Sequence, residues 1–155
     1  VRWYGGFDSY IIASEFEPDY KLASVSMGRK QEQENEIGNV QYLPYLEWRD
    51  WMNALSQFHI GVHLMPTIAA GTFAMNCGFL GIPCVGYSVL DTQRNIFPEL
   101  SVDVNDLQSA IKLVKRLKTD ENFYKEQSIK AQENYKKFHS EEAVNKKLNS
   151  YFNSL

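Results

Sequence analysis

The chain has 155 residues, 44% of them hydrophobic and 23% charged, and carries a net charge of -3 at pH 7. This length suits one domain with one core, and the 14% share of aromatic residues argues against a disordered chain. The net charge gives no reason to expect nucleic acid as a partner, and no apolar run approaches the roughly 20 residues that span a bilayer.

The chain begins at Val1-Arg2-Trp3-Tyr4, without an initiator methionine and without a signal-peptide pattern. We interpret these residues as a strand that is entered in mid-course, which predicts that the chain is cut from a longer one. Cys77 and Cys84 are the only cysteines, and no second Cys or His lies at the spacing of a zinc finger. We therefore expect two small buried thiols in a reducing compartment, which points to the cytoplasm.

Short apolar runs alternate with helical stretches in chain order, a pattern typical of a parallel sheet covered by helices. After a first strand at 1–4, the sequence predicts a helix at 8–16, a strand at 21–27, a polar loop or short helix at 29–38, a strand at 39–43, a helix at 46–58, a strand at 59–65, a helix at 72–80, and strands from 83 and at 100–102. From Val104 onward, apolar residues recur at helical intervals, with Thr119 or Asp120 and then Ser140 as candidate N-caps. The predicted fold is α/β: a doubly wound, Rossmann-like parallel sheet with helices on both faces and extra C-terminal helices.

Ligands of an open parallel sheet bind at the carboxyl ends of the strands, so the residues that follow each predicted strand are candidate site residues. They are Gly5-Gly6, Gly28-Arg29-Lys30, Pro44-Tyr45, 66–72 and 86–88. The most informative segment is 65–86, MPTIAAGTFAMNCGFLGIPCVG, in which Gly71 would let a ligand approach the backbone before a helix that begins at Thr72. The first amides of that helix have no intrahelical partners and carry the positive end of its dipole, which suits a diphosphate. By spacing alone, a simple helix cap is the more frequent explanation.

This segment resembles the nucleotide-sugar loop and helix of GT-B glycosyltransferases, especially those of family 4. In that family, a strand that ends in Pro-Ser leads to a loop, a helix and Gly-x-Pro-Val-Val, which correspond here to Pro66-Thr67 and to Gly81-Ile82-Pro83-Cys84-Val85. Residues 39–45, NVQYLPY, look like the family's strand and turn before a Trp-rich helix, and 120–152 look like its closing helices. The resemblance implies that the chain is the C-terminal half of a two-domain glycosyltransferase that binds a nucleoside-diphosphate sugar.

The resemblance also implies where the parts of the donor lie. The base would lie near 43–45, the diphosphate on Gly71-Thr72 and the ribose near Asn76. A missing N-terminal domain would hold the acceptor, a sugar or lipid-linked sugar, and the full-length protein could associate peripherally with a membrane. No metal or other cofactor is implied, because the helix dipole and amides stabilise the leaving diphosphate, and we find no Asp-x-Asp signature in a suitable loop.

The sequence departs from the family pattern at two places. The two family glutamates that flank the loop and helix fall on Ile68 and Asn76, of which only Asn76 could still hydrogen-bond a ribose. The family's Arg and Lys pair after the first strand is replaced by Gly5-Gly6-Phe7-Asp8, so that Arg29 and Lys30 are the nearest basic candidates.

A few other residues could serve a site, although each has a simpler structural explanation. His63 lies near a strand end, where a hydrogen-bonded core histidine is the more common situation. Arg94 is predicted in a surface loop, and His59 at the surface. Trp48 and Trp51 fit a core helix face better than a sugar-stacking platform.

Two alternative functions remain open. A non-catalytic nucleotide- or protein-binding relic of the same fold is favoured by the lost glutamates, and a nucleotide-sugar epimerase shares the fold by analogy only. A response-regulator receiver is rejected because the predicted strands do not end in clustered acids. A dinucleotide-binding domain is rejected because 5–10 lacks the Gly-x-Gly-x-x-Gly pattern.

Overall fold

The computed structural model describes residues 7–16, 20–25, 40–68 and 71–154. The strand predicted at 1–4, the polar segment predicted at 29–38 and the candidate site residues Gly5, Gly6 and Arg29 lie outside these residues.

Up to the last strand, the described residues form both strands and helices, and three helices follow. In chain order they are α1 (Phe7–Ser14), β1 (Leu22–Val25), β2 (Val40–Leu43), α2 (Trp48–Leu55), β3 (Gly61–His63), α3 (Thr72–Leu80), β4 (Cys84–Tyr87), α4 (Asp91–Ile96), β5 (Ser101–Val102), α5 (Leu107–Thr119), α6 (Glu121–His139) and α7 (Glu141–Phe152). A 3₁₀ turn at Pro98–Leu100 precedes β5. Strands β3 and β5 are shorter than predicted, whereas α3 has the predicted bounds.

All the strand pairs of the described residues are parallel, which confirms the predicted α/β fold. They form a two-stranded sheet, β1-β2, and a three-stranded sheet, β3-β4-β5. Leu22 lies opposite Val40 in the first sheet, and Gly61 lies opposite Cys84 in the second. Because parallel neighbours point the same way, their carboxyl ends meet at one edge of each sheet.

The core is centred on β4, which is buried along its whole length and is covered by α3, α4 and α5. Helix α6 packs across α3 and α4. Gln93 of α4 is fully buried, and its Nε2 donates to Cys84 O at 2.8 Å, which ties α4 to β4. The prediction of a loop around Arg94 is therefore wrong. Helix α4 has only six residues, most of them polar, so its sequence shows no helical period and its tertiary contacts decide its structure.

Capping side chains define the C-terminal helices, as predicted. Asp120 Oδ1 accepts from Phe123 N at 2.9 Å, and Ser140 Oγ accepts from Ala143 N at 3.2 Å. Thr119, the alternative cap, is the last residue of α5.

Cys77 and Cys84 are buried free thiols, which confirms the prediction of two small core cysteines. Across the described residues, no helix is both long enough and apolar enough to cross a membrane.

Candidate functional site

A cavity of about 1530 Å³ is lined by residues of both sheets and of the helices around them. At the carboxyl ends of the strands its lining consists mainly of aromatic and uncharged polar side chains: Ser9, Tyr10, Tyr45, Trp48, Trp51, His63, Met65, Thr72, Phe73 and Asn76. Its charged lining residues, Lys21, Lys118 and Glu121, lie elsewhere, with Lys21 immediately before β1. Ligands of open parallel sheets bind at the carboxyl end, so we take this end of the cavity as the candidate site.

The structure brings together four of the site residues predicted from sequence. Tyr45, His63, Thr72 and Asn76 all line the cavity, although they come from three different parts of the chain. Pro44 is exposed next to Tyr45, and Gly71 is buried next to Thr72.

The N-terminus of α3 opens at this cavity without a capping side chain. Gly71 occupies the N-cap position, and Met75 N donates to Gly71 O at 3.3 Å to start the helix. Thr72 is exposed, so the first turn is accessible. By contrast, Asp106, Asp120 and Ser140 cap α5, α6 and α7. The amides of the first turn of α3 are therefore left for solvent or a ligand.

Gly71 has a structural reason to be glycine. Its φ is 60°, in the left-handed region that residues with a Cβ rarely adopt. A Cβ on Gly71 would lie 2.0 Å from Thr92 Oγ1, the hydroxyl that donates to Gly71 O at 3.3 Å. A bulkier residue would thus disturb α4 as well as any ligand, which makes Gly71 a poor position for testing the site.

The Asn76 amide already has partners within the fold. With the orientation that satisfies its neighbours, Nδ2 donates to Thr72 O at 3.1 Å and Oδ1 accepts from Trp51 Nε1 at 2.8 Å. Asn76 therefore ties α2 to the first turn of α3, and its proposed contact with a ribose would compete with these bonds.

Three rings form a continuous aromatic wall in the cavity. The ring centroids of Trp51 and Phe73 are 6.3 Å apart, and those of Phe73 and His63 are 5.4 Å apart. Trp51 packs against the core, as predicted, but Trp48 is 61% exposed. The prediction of a core role for Trp48 is wrong, because Trp48 is the first residue of α2 and lies on the cavity side of that helix.

His63 is largely buried at the end of β3. Burial lowers the pKa of its imidazole to about 4, so the ring is neutral at pH 7. Its Nδ1 is buried and has no hydrogen-bond partner among the described residues. The hydrogen bond expected of a core histidine is thus not found at this atom among the described residues.

Asp8 and Ser9 anchor the start of α1 to the second sheet, which sequence reasoning missed. Leu64 N donates to Ser9 Oγ at 2.8 Å, and Tyr87 OH donates to the Asp8 carboxylate. Burial and this carboxylate raise the pKa of Tyr87 well above its usual range. The sequence signal that could have indicated this anchor is Asp8, an acidic residue in the first turn of a predicted helix.

Arg94 does not line the cavity. It is exposed and pairs with Asp91 one turn earlier in α4. Among the described residues, positive potential at the carboxyl end of the cavity comes from the α3 dipole rather than from a cationic side chain. Within the same ranges, no three His, Cys, Asp or Glu side chains are grouped as a metal ion would require.

Comparisons with known proteins agree with this architecture. The chain is similar to a solved structure of sucrose-phosphate synthase from Thermosynechococcus elongatus, with a TM-score of 0.71 and 16% sequence identity. The chain has a GT-B-like fold. The match covers 99% of this chain and 43% of that one, so the chain spans less than half the length of the synthase. No family model matches the sequence, and no curated protein matches it.

Proposed function

We propose that the chain is the donor-binding domain of a glycosyltransferase and that it binds a nucleoside-diphosphate sugar. The observation that carries the proposal is the accessible, uncapped N-terminus of α3 at the carboxyl end of the cavity. Free amides and the positive end of a helix dipole form a ready anion site. The GT-B-like fold supports the same assignment, because it makes this edge the expected ligand position.

The chemistry of the proposed site is electrostatic. The amides at Thr72 would bind the diphosphate and stabilise the charge that develops on it as the sugar leaves. Tyr45 and Trp48, 66% and 61% exposed at the cavity, offer rings on which a base could stack. The domain needs no metal or other cofactor in this proposal. The acceptor, a sugar or lipid-linked sugar, would be held by an N-terminal domain of a longer protein in the cytoplasm, with or without peripheral attachment to a membrane.

A non-catalytic relic of the same fold is the second candidate. Both positions of the family glutamates are uncharged: Ile68 is 90% exposed, and the Asn76 amide is bonded to Trp51 and Thr72. A domain of this kind would bind a nucleotide and transfer nothing.

Thr72→Asp is the variant that tests the diphosphate site. A carboxylate in the first turn stabilises a helix through its dipole, by about 0.3–1 kcal/mol, but it repels a diphosphate at the same amides. We expect the wild-type chain to bind ADP, GDP or UDP with a dissociation constant on the order of 0.1–1 mM, and Thr72→Asp to weaken the best of them at least tenfold, about 1.4 kcal/mol. Titration calorimetry measures both affinities, and thermal unfolding checks that the variant is folded.

Gln108→Asp is the matched control, because it adds the same charge to an exposed position in the first turn of α5. It should bind nucleotide as the wild type does. If no nucleoside diphosphate binds to the wild type at millimolar concentration, or if the two aspartate variants lose affinity equally, the proposed site is wrong. If the longer protein transfers a glycosyl group and Thr72→Asp abolishes that transfer, the domain belongs to an enzyme and not to a non-catalytic relic.

A further inference from the structure

Thr92 reaches from α4 to the residue that precedes α3. Its hydroxyl donates to Gly71 O at 3.3 Å, although the two residues are 21 positions apart in the chain. The same carbonyl oxygen accepts from Met75 N at 3.3 Å, which is the bond that starts α3. A helix start needs only this second bond, so Thr92 adds an anchor from outside the helix.

This anchor sets the direction of the first amide of α3. Gly71 C=O and Thr72 N–H belong to one planar peptide group, so the hydrogen bonds that hold the carbonyl oxygen also orient the N–H group. Gly71 has a φ of 60°, and glycine adopts left-handed and right-handed backbone conformations about equally readily. The glycine therefore resists rotation of this peptide group only weakly, and the Thr92 hydroxyl restricts that rotation.

Thr92 acts on the peptide group and not on a ligand. It is half-buried, and it does not line the cavity, whereas Thr72 does. Its hydroxyl occupies the side of Gly71 on which a side chain would otherwise stand. Any effect of Thr92 on binding must therefore pass through the 71–72 peptide group.

We propose that Thr92 is a positioning residue of the diphosphate site, which holds the 71–72 peptide group so that the Thr72 amide is directed at the bound diphosphate. This inference rests on the proposed function, since it presupposes that the diphosphate binds at α3. An amide that is already oriented before the ligand arrives binds more tightly, because no ordering of the backbone has to accompany binding.

Thr92→Ala and Thr92→Ser isolate the hydroxyl, since the two replacements differ by that group alone. We expect Thr92→Ala to weaken binding of UDP and of inorganic pyrophosphate by about fivefold, the equivalent of one net hydrogen bond. The two losses should be equal, because the diphosphate is the part that both probes share. Thr92→Ser should bind both probes within about twofold of the wild type. NMR titration measures the affinities in the millimolar range, and thermal unfolding checks that the variants are folded.

Ser128→Ala is the matched control. Ser128 Oγ donates to Gly81 O at 2.6 Å, and Gly81 is the left-handed glycine, with a φ of 71°, that ends α3. The variant removes the same kind of bond from the other end of a helix of nine residues, about 13 Å away. It should lower the thermal midpoint but bind both probes within about twofold of the wild type.

The outcomes distinguish the two proposals. Failure of the wild type to bind UDP and pyrophosphate overturns the proposed function and this inference with it. Binding by the wild type with unchanged affinities in Thr92→Ala overturns the role of Thr92 alone. If Thr92→Ser binds as weakly as Thr92→Ala, or if Ser128→Ala loses as much affinity, the loss comes from a general disturbance of α3, which also overturns the role of Thr92.

Discussion

At the scale of single residues, Asn76 shows how a position chosen for its role in a site can serve the fold instead. Its amide joins Trp51 Nε1 to Thr72 O, so it fixes both the aromatic wall and the first turn of α3. The family motif selects this position, but only the packing of α2 against α3 reveals what the side chain bonds.

Asn76→Glu should destabilise the fold without a gain in nucleotide affinity. A glutamate can still accept from Trp51, but it cannot donate to Thr72 O and would place a negative charge beside that carbonyl oxygen. We expect a loss of about 1–3 kcal/mol in unfolding free energy, the cost of an unsatisfied buried polar group. Denaturant unfolding and calorimetric titration measure the two effects, with the same change at the exposed Asn145 as control. Tighter nucleotide binding by Asn76→Glu at unchanged stability would instead place Asn76 on the ribose.

His63 should make the stability of the fold depend on pH. Because burial lowers its pKa from 6.5 to about 4, the unfolded chain takes up a proton on His63 before the folded chain does. Stability therefore falls as the pH drops from 6.5 towards 4, by at most about 3 kcal/mol for this group, and does not change further below that range.

Urea unfolding of the wild type and of His63→Leu across this pH range tests the prediction. Burial also lowers the pKa of His139, but that residue is present in both proteins and cancels in the comparison. Parallel pH profiles for the two proteins would contradict the assignment to His63.

At the scale of elements, helix α1 connects the two sheets. Among the described residues, β1 pairs only with β2 and β3 pairs only with β4. Helix α1 begins against both sheets, since Leu64 N donates to Ser9 Oγ at 2.8 Å and the hydroxyls of Tyr10 and Ser24 are 2.8 Å apart. These contacts tie β1 and the end of β3 to the same helix.

At the scale of the whole molecule, α7 presents an apolar face that nothing in the described chain covers. Its large apolar side chains, Val144, Leu148, Tyr151 and Phe152, are all exposed.

Removing apolar side chains from α7 should therefore cost this chain little. We expect Phe152→Ser to change the unfolding free energy by less than about 0.5 kcal/mol, as is usual for exposed positions. Leu64→Ala, at a fully buried position, should cost about 2–5 kcal/mol and provides the contrast. Denaturant unfolding measures both, and a large loss for Phe152→Ser would mean that α7 is covered in this chain.

The sequence by itself determined the α/β class, the order of the described elements other than α4, the bounds of α3 and the caps at Asp120 and Ser140. These features follow from local rules, since hydrophobic period, glycine and capping side chains act within a few residues. It also selected Tyr45, His63 and Thr72, because strand ends are recognisable and the carboxyl ends of parallel strands share one edge, whereas Asn76 was selected by the family motif.

Only the tertiary structure decided what these residues do for one another. Helix α4 forms because Gln93 is buried against β4, and Gly71 must be glycine because Thr92 lies against it. Trp48, at the start of α2, is 61% exposed on the cavity side. The partners of these side chains lie on other elements, many residues away in sequence. Their contacts depend on how helices and strands pack, and no local pattern encodes that.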